Sequence, residues 1–111
     1  MSDFGANLRG VRERYYATDR SYSVRKVAGR VGIEPSYLSK IERGEHAPPS
    51  EKIIVLLARD MDLDADVLLA KAGKIRRDVK EIILRRPKIL PALIRDLKRK
   101  PNRILLGMVG K

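Results

Sequence analysis

The sequence predicts an all-α protein, and three observations carry that expectation. Apolar residues recur at helical spacing along almost the whole chain. Of the 111 residues only 5% are aromatic, while 35% are charged and 43% apolar, which suits a small helical domain better than a β-sandwich. Ser, Asp, Pro and Gly also fall where helices start and stop.

The helices follow in order. Phe4, Leu8 and Val11 mark the first, opened by Ser2 or Asp3, and the polar stretch "ATDRSY" breaks the pattern after it. Ser23 is the expected N-cap of a second helix with the stripe Val24, Val27, Ala28 and Val31. Gly32 stops it, since a sharp turn needs the left-handed conformation. Pro35 fits the first turn of a third helix that runs to about Arg43 and closes at Gly44. After the loop "HAPPS", Ser50 caps a fourth helix carrying Ile53, Ile54, Leu56, Leu57 and Met61, and Asp64 caps a fifth that ends at Gly73. Beyond Gly73, Ile75, Val79, Ile82 and Ile83 form a stripe stopped near Pro87. Ile89 or Leu90, Leu93, Ile94 and Leu97 form another, with Pro91 in its first turn. "PNRILLGMV" reads as a last short helix or an apolar tail. The expected organisation is one domain over 1–73 and a basic helical extension over 74–111, with two or three helices.

Charge narrows the choice of partner. The formal net charge is +11, and its distribution is uneven. Residues 1–44 hold nine Lys/Arg against five Asp/Glu, residues 45–73 three against six, and residues 74–111 thirteen against three. A polyanionic partner is the expectation. Without cysteine there is neither a disulfide framework nor a thiolate metal site, and the single histidine, His46, cannot build a metal cluster alone. The acids of "DMDLDAD" alternate like a metal loop, but lack the Gly and terminal Glu of an EF-hand; helix capping by Asp64 and the first-turn position of Asp66 account for part of the run. No Gly-rich phosphate loop is present, so neither an enzyme nor a cofactor is expected. The longest apolar run, "IIVLLA", is far too short to span a membrane, and the N-terminal "MSDFGANLRG" has no apolar core of an export signal, so a cytoplasmic location is expected.

The third helix has two sides. At 100° per residue, Leu38, Ile41 and Glu42 share one face. Ser36, Ser39, Lys40 and Arg43 share the other, and Tyr37 borders both. An acid among apolar residues is costly unless a cation meets it. Arg12 lies on the apolar stripe of the first helix, at the spacing Leu8, Val11, Arg12, so a guanidinium–carboxylate fork between Arg12 and Glu42 is expected. On the second helix Arg25, Lys26 and Arg30 lie opposite the valines. Helix, short glycine turn and helix with a small polar and basic outer face make a helix-turn-helix arrangement. Short side chains let the second helix approach the DNA major groove, Lys40 can reach guanine acceptors, and Arg43 with the basic face of the second helix suits phosphates.

The segments "LRGVR" (8–12) and "SVRKVAGRVGIEPSYLSKIERGEHAPPSEKIIVLLARDMDLDADVLL" (23–69) closely resemble the lambda-repressor and Cro-like, or xenobiotic-response-element (Xre), family of helix-turn-helix regulators. The resemblance covers about residues 4–73 and implies a five-helix bundle that binds duplex DNA sequence-specifically, usually as a dimer on a two-fold operator. It places the base-facing positions at Pro35, Ser36 and Lys40, with Tyr37, Ser39 and Arg43 beside them, and agrees with an Arg12–Glu42 pair. Three features depart from the family. Val24 stands where a phosphate-touching glutamine is common. Pro35 has no donor and offers only van der Waals contact. The connection "ERYYATDRSY" is longer than usual; it extends the first helix, carries Arg14 and Arg20 towards the DNA backbone, or, as the favoured expectation, is a tolerated surface insertion.

The function expected is therefore a transcriptional regulator of double-stranded DNA, a homodimeric repressor or autoregulator reading the major groove with residues 35–43. The alternative is an antitoxin-like or adaptor module whose basic C-terminal helices hold a protein partner.

Overall fold

The structure, a computed structural model, describes residues 4–109, and within them every regular element is helical. The chain divides after Arg76 into two units. The first holds α1 (Phe4–Tyr16), a 3-10 turn (Arg20–Tyr22), α2 (Val24–Val31), α3 (Pro35–Glu42), α4 (Glu51–Asp60) and α5 (Ala65–Lys71). The caps expected of Ser2 or Asp3 lie outside the described residues.

Local chemistry sets the boundaries of these helices. Ser23 accepts from the Lys26 amide and Ser50 from that of Ile53, and Asp64 accepts from the amides of Asp66 and Val67. Each cap satisfies a donor that the first turn of a helix leaves unpaired. Gly32 ends α2 at φ 86°, where both its own amide and that of Ile33 return to the carbonyl of Ala28. Asp62 takes the same left-handed role after α4, at φ 52°. Of the acids in "DMDLDAD", then, Asp62 makes a turn, Asp64 caps a helix and Asp60 accepts an arginine.

The stripes meet in one core. Phe4 and Leu8 of α1, Val27, Ala28 and Val31 of α2, Leu38 and Ile41 of α3, Ile54, Leu57 and Ala58 of α4, Met61, and Leu68 and Leu69 of α5 are all buried. Val24, Val11, Ile53 and Leu56 pack against this cluster half-buried. At roughly 1.5–3 kcal/mol for each large apolar side chain taken fully from water, this burial is the main stabilising term.

The long connection after α1 lies at the surface, with residues 17–20 exposed, and is tied down by contacts at both of its ends. α1 continues to Tyr16, and after the exposed residues 17–20 the residues 21–23 are half-buried. The rings of Tyr15 and Tyr22 stack with centroids 4.7 Å apart, and the Tyr15 hydroxyl donates to the Met61 carbonyl at 3.0 Å. Asp19 caps the 3-10 turn by accepting from the Ser21 amide. Arg20 lies 4.5 Å over the Tyr16 ring. Arg30 forks onto Asp60 at 2.6 and 3.0 Å and donates to the Ser21 carbonyl at 2.6 Å. The connection ties α1 and α2 to the end of α4, and Arg30, its side chain 39% exposed, is engaged in it.

The second unit comprises α6 (Arg77–Arg85), α7 (Ile89–Arg99) and α8 (Asn102–Val109). Ile75 precedes α6 and is not part of that helix. Pro91 falls in the first turn of α7, where its missing amide hydrogen costs nothing. "NRILLGMV" is a helix, not a tail. No described side chain of this unit is buried. Among its described residues Ile82, Leu84, Ile89, Leu93, Ile94, Leu97, Ile104 and Leu106 are exposed. Ile82, Ile83, Ile89, Leu90 and Leu93 line an apolar groove of about 480 Å³, edged by Arg85 and Arg86. No helix among the described residues is long and apolar enough to cross a membrane.

Candidate nucleic-acid interface

An eight-residue helix is too short to be stable alone, so α3 is held by what its inner face meets. Leu38 and Ile41 are in the core. Glu42, 6% exposed, receives the guanidinium of Arg12, which is equally buried. Arg12 Nε donates to Glu42 Oε2 at 2.7 Å and Nη2 to Oε1 at 2.8 Å, while Nη1 donates to the Tyr22 carbonyl at 3.1 Å. The hydrogen bonds that Arg12 donates to Glu42 raise the Arg12 pKa above its ordinary value, against the opposing effect of burial. The fork therefore joins α1 to the last turn of α3 and, through Tyr22, to the 3-10 turn. Among the described residues no buried side-chain nitrogen or oxygen lacks a hydrogen-bond partner.

Gly5 sets the spacing of the same two helices, and sequence reasoning missed it. A Cβ on Gly5 would clash with the backbone carbonyl of Ile41. The only signal in the sequence is a glycine inside a helical pattern, whose reason is tertiary.

The opposite side of α3 is open. Pro35, Ser36, Lys40 and Arg43 are exposed, and Ser39 and Tyr37 are half-buried at the margins. Glu34, the residue before the helix, makes no side-chain cap bond. The ring of Tyr37 packs edge-on to His46, centroids 5.5 Å apart. Arg43 donates to Glu45 at 2.7 and 3.2 Å, which raises the arginine pKa and holds the Glu45 carboxyl below its ordinary range. On α2, Arg25 and Lys26 are exposed. Val24 is half-buried against the core and offers no polar group. The result is a convex helix face of hydroxyls and cations, the chemistry that base edges and phosphates accept.

Two short helices at a glycine turn, one buried through a carboxylate and the other flank open, define a helix-turn-helix domain. The family described as "Helix-turn-helix domain" matches residues 3–70, more than half of the chain. The chain belongs to this family, as a helix-turn-helix protein of the Xre type. It is 35% identical over 51 residues to the HTH-type transcriptional regulator SlrR of Bacillus subtilis (strain 168), a stretch covering 46% of this chain and 34% of SlrR. It is 29% identical over 69 residues to the HTH-type transcriptional regulator SinR of Bacillus licheniformis, covering 62% of each. The chain thus spans about a third of the first relative and under two thirds of the second. The crystal structure of the clp gene regulator ClgR from Corynebacterium glutamicum superimposes with a TM-score of 0.52 over 90% of this chain and 94% of that one. At 19% identity that likeness concerns the fold alone.

Proposed function

We propose that this chain is a transcriptional regulator that binds double-stranded DNA with sequence preference and reads the major groove with α3. The observation that carries the reading is the division of α3: Leu38, Ile41 and Glu42 are fixed inward, while Ser36 and Lys40 face solvent. Lys40 and Ser36 contact base edges, and Pro35 offers van der Waals contact, for example to a thymine methyl. Tyr37, Ser39 and Arg43 flank them, and Arg25 and Lys26 meet phosphates from α2. Relatives named as transcriptional regulators support the same role. The proposed form is a homodimer acting as a repressor or autoregulator, each copy on one half-site, with half-sites ~34–36 Å apart for one turn of DNA.

The test is an anisotropy titration on a duplex selected by the wild-type protein from a random library. Lys40→Ala is expected to reduce discrimination between that duplex and its single-base variants by ~1–3 kcal/mol at one position per half-site. Lys52→Ala, an exposed lysine on α4, is expected to change nothing. Equal discrimination by wild type and Lys40→Ala would overturn the assignment.

The second unit favours a second reading. It has no buried described side chain and an apolar groove edged by arginines, while residues 77–111 carry eleven Lys/Arg against three Asp/Glu. Such a surface suits a cover, which the bundle of the same chain, a second copy, or a protein partner as in an adaptor or antitoxin could each supply. Sedimentation of the full chain over a concentration series separates the second copy from the others. A dimer favours the second copy, and a monomer that retains DNA binding favours the same chain or a protein partner.

A further inference from the structure

The second unit, α6 to α8, leaves its apolar side chains in water. At 100° per residue, Ile89, Leu90, Leu93, Ile94 and Leu97 of α7 fall on one side of the helix, and Arg95, Lys98 and Arg99 on the other. Those three cations are exposed. On α6, Val79, Ile82 and Ile83 share a side in the same way. The groove of about 480 Å³ between α6 and α7 accounts for only part of the apolar surface. Ile94, Leu97, Ile104 and Leu106 lie outside its lining, and Leu97 and Leu106 are 67% and 65% exposed. Residues 77–111 hold eleven Lys/Arg against three Asp/Glu, and no aromatic residue.

We infer that these helices form a docking surface for an anionic lipid bilayer, with the apolar stripe of α7 turned into the acyl boundary and its cations on headgroup phosphates. The inference stands apart from the reading of α3, with which it shares no residue. Charge and extent together choose the occupant. A second copy of the unit would bring another eleven cations against the first eleven. A single partner helix or a small apolar ligand in the groove would cover Ile82, Ile89 and Leu93, but leave Ile94, Leu97 and Leu106 in water. An anionic bilayer is apolar within and negative at its surface, and it offers both to every helix of the unit. Helices with Lys and Arg on one side and Leu and Ile on the other bind that interface through buried apolar area plus attraction to anionic headgroups. Arg and Lys stems can lie along the apolar boundary while their charged ends stay among the headgroups. No helix among the described residues is long and apolar enough to cross, so the contact is with the surface of the membrane. Without Trp or Tyr to anchor it in the headgroup layer, the contact is reversible and depends on anionic lipid.

The test is flotation of the full chain with vesicles of equal parts phosphatidylglycerol and phosphatidylcholine, and with vesicles of phosphatidylcholine alone. The wild type is expected to float with the first and not with the second. Ile94→Ser with Leu97→Ser keeps the charge, and is expected to bind the anionic vesicles at least ~10-fold more weakly. Arg95→Gln with Arg99→Gln keeps the apolar stripe, and is expected to weaken binding ~5-fold per cation. All four side chains are exposed, so neither variant disturbs the core. Arg25→Ala with Lys40→Ala, on the helix-turn-helix face, is expected to float like wild type. Absence of wild-type flotation would overturn the proposal, and so would undiminished binding by Ile94→Ser with Leu97→Ser, which would leave the cations acting alone. An equal fall in Arg25→Ala with Lys40→Ala would overturn it by moving the lipid contact to the first unit. Lipid-free sedimentation reads the other occupants. Without flotation, a dimer that Ile94→Ser with Leu97→Ser dissociates would assign the stripe to a second copy, and a monomer would assign it to a protein partner; either result overturns the bilayer.

Discussion

Glu42 is an acid in the last turn of a helix whose other inward residues are Leu38 and Ile41, and the fold accepts it only because Arg12 arrives from α1. Removing one partner leaves the other charged and dry. Glu42→Ala is expected to lower the unfolding free energy by about 3–5 kcal/mol, while the joint change Arg12→Met with Glu42→Leu recovers most of it. Urea denaturation of the three proteins checks this, and a single-variant loss below ~1 kcal/mol would mean that the pair is solvated. Gly5→Ala is expected to cost about 1–3 kcal/mol by overpacking α1 against the end of α3, read as a lower melting temperature. The two residues differ in how visible they are in sequence. Arg12 and Glu42 each interrupt an apolar stripe, so each asks for a partner. Gly5 interrupts nothing, and its role exists only when α1 and α3 are brought together. Acid should act through two exposed carboxylates. Asp19 is held below its ordinary range by the hydroxyl and amide of Ser21, and Glu45 by Arg43. A carboxylate with a lowered pKa favours the fold while ionised, so its contribution is complete above its ordinary pKa and disappears as pH falls through the lowered value. The melting temperature is expected to fall as pH drops below about 4. The fall is expected to be smaller in Asp19→Asn with Glu45→Gln.

At the scale of elements, caps and glycines made the helices of the first unit legible, because Ser23, Ser50, Asp64 and Gly32 act within a turn of their own positions. The stretch after α1 was not legible for the opposite reason. Tyr15 at the end of α1, Tyr22 of the 3-10 turn and Arg30 of α2 find partners far along the chain, at Met61 and Asp60, and no local spacing announces such a meeting. Arg30, which sequence places on the phosphate-facing side of α2, also ties that helix to Asp60 in the structure. Arg30→Ala is expected to cost about 1 kcal/mol or less in stability, since the arginine is partly solvated. It is expected to leave the salt slope of DNA binding unchanged, and a slope reduced by ~0.9 would instead place it in the phosphate-facing set. In the second unit the amphipathic spacing of α7 was readable, but Ile75, assigned to the stripe of α6, precedes that helix. A hydrophobic stripe shows only that a residue could be covered. Ile82 and Leu93 remain exposed in the single chain, so the stripe alone does not identify the cover.

For the molecule as a whole, charge and fold lead to the same partner by separate routes. The net charge of +11 favours any polyanion, without regard to sequence. In the proposed reading the clamped α3 would add the sequence preference, because a rigid helix with short side chains can hold Lys40 at a base edge. The two contributions are separable by experiment, since salt weakens the first and base substitution the second. The most direct measurement is a pair of selections from one random duplex library, with wild type and with Lys40→Ala. The wild type is expected to enrich a defined motif, and Lys40→Ala the same motif with one position per half-site relaxed. Identical motifs from both proteins would contradict the claim that the outward face of α3 reads the DNA.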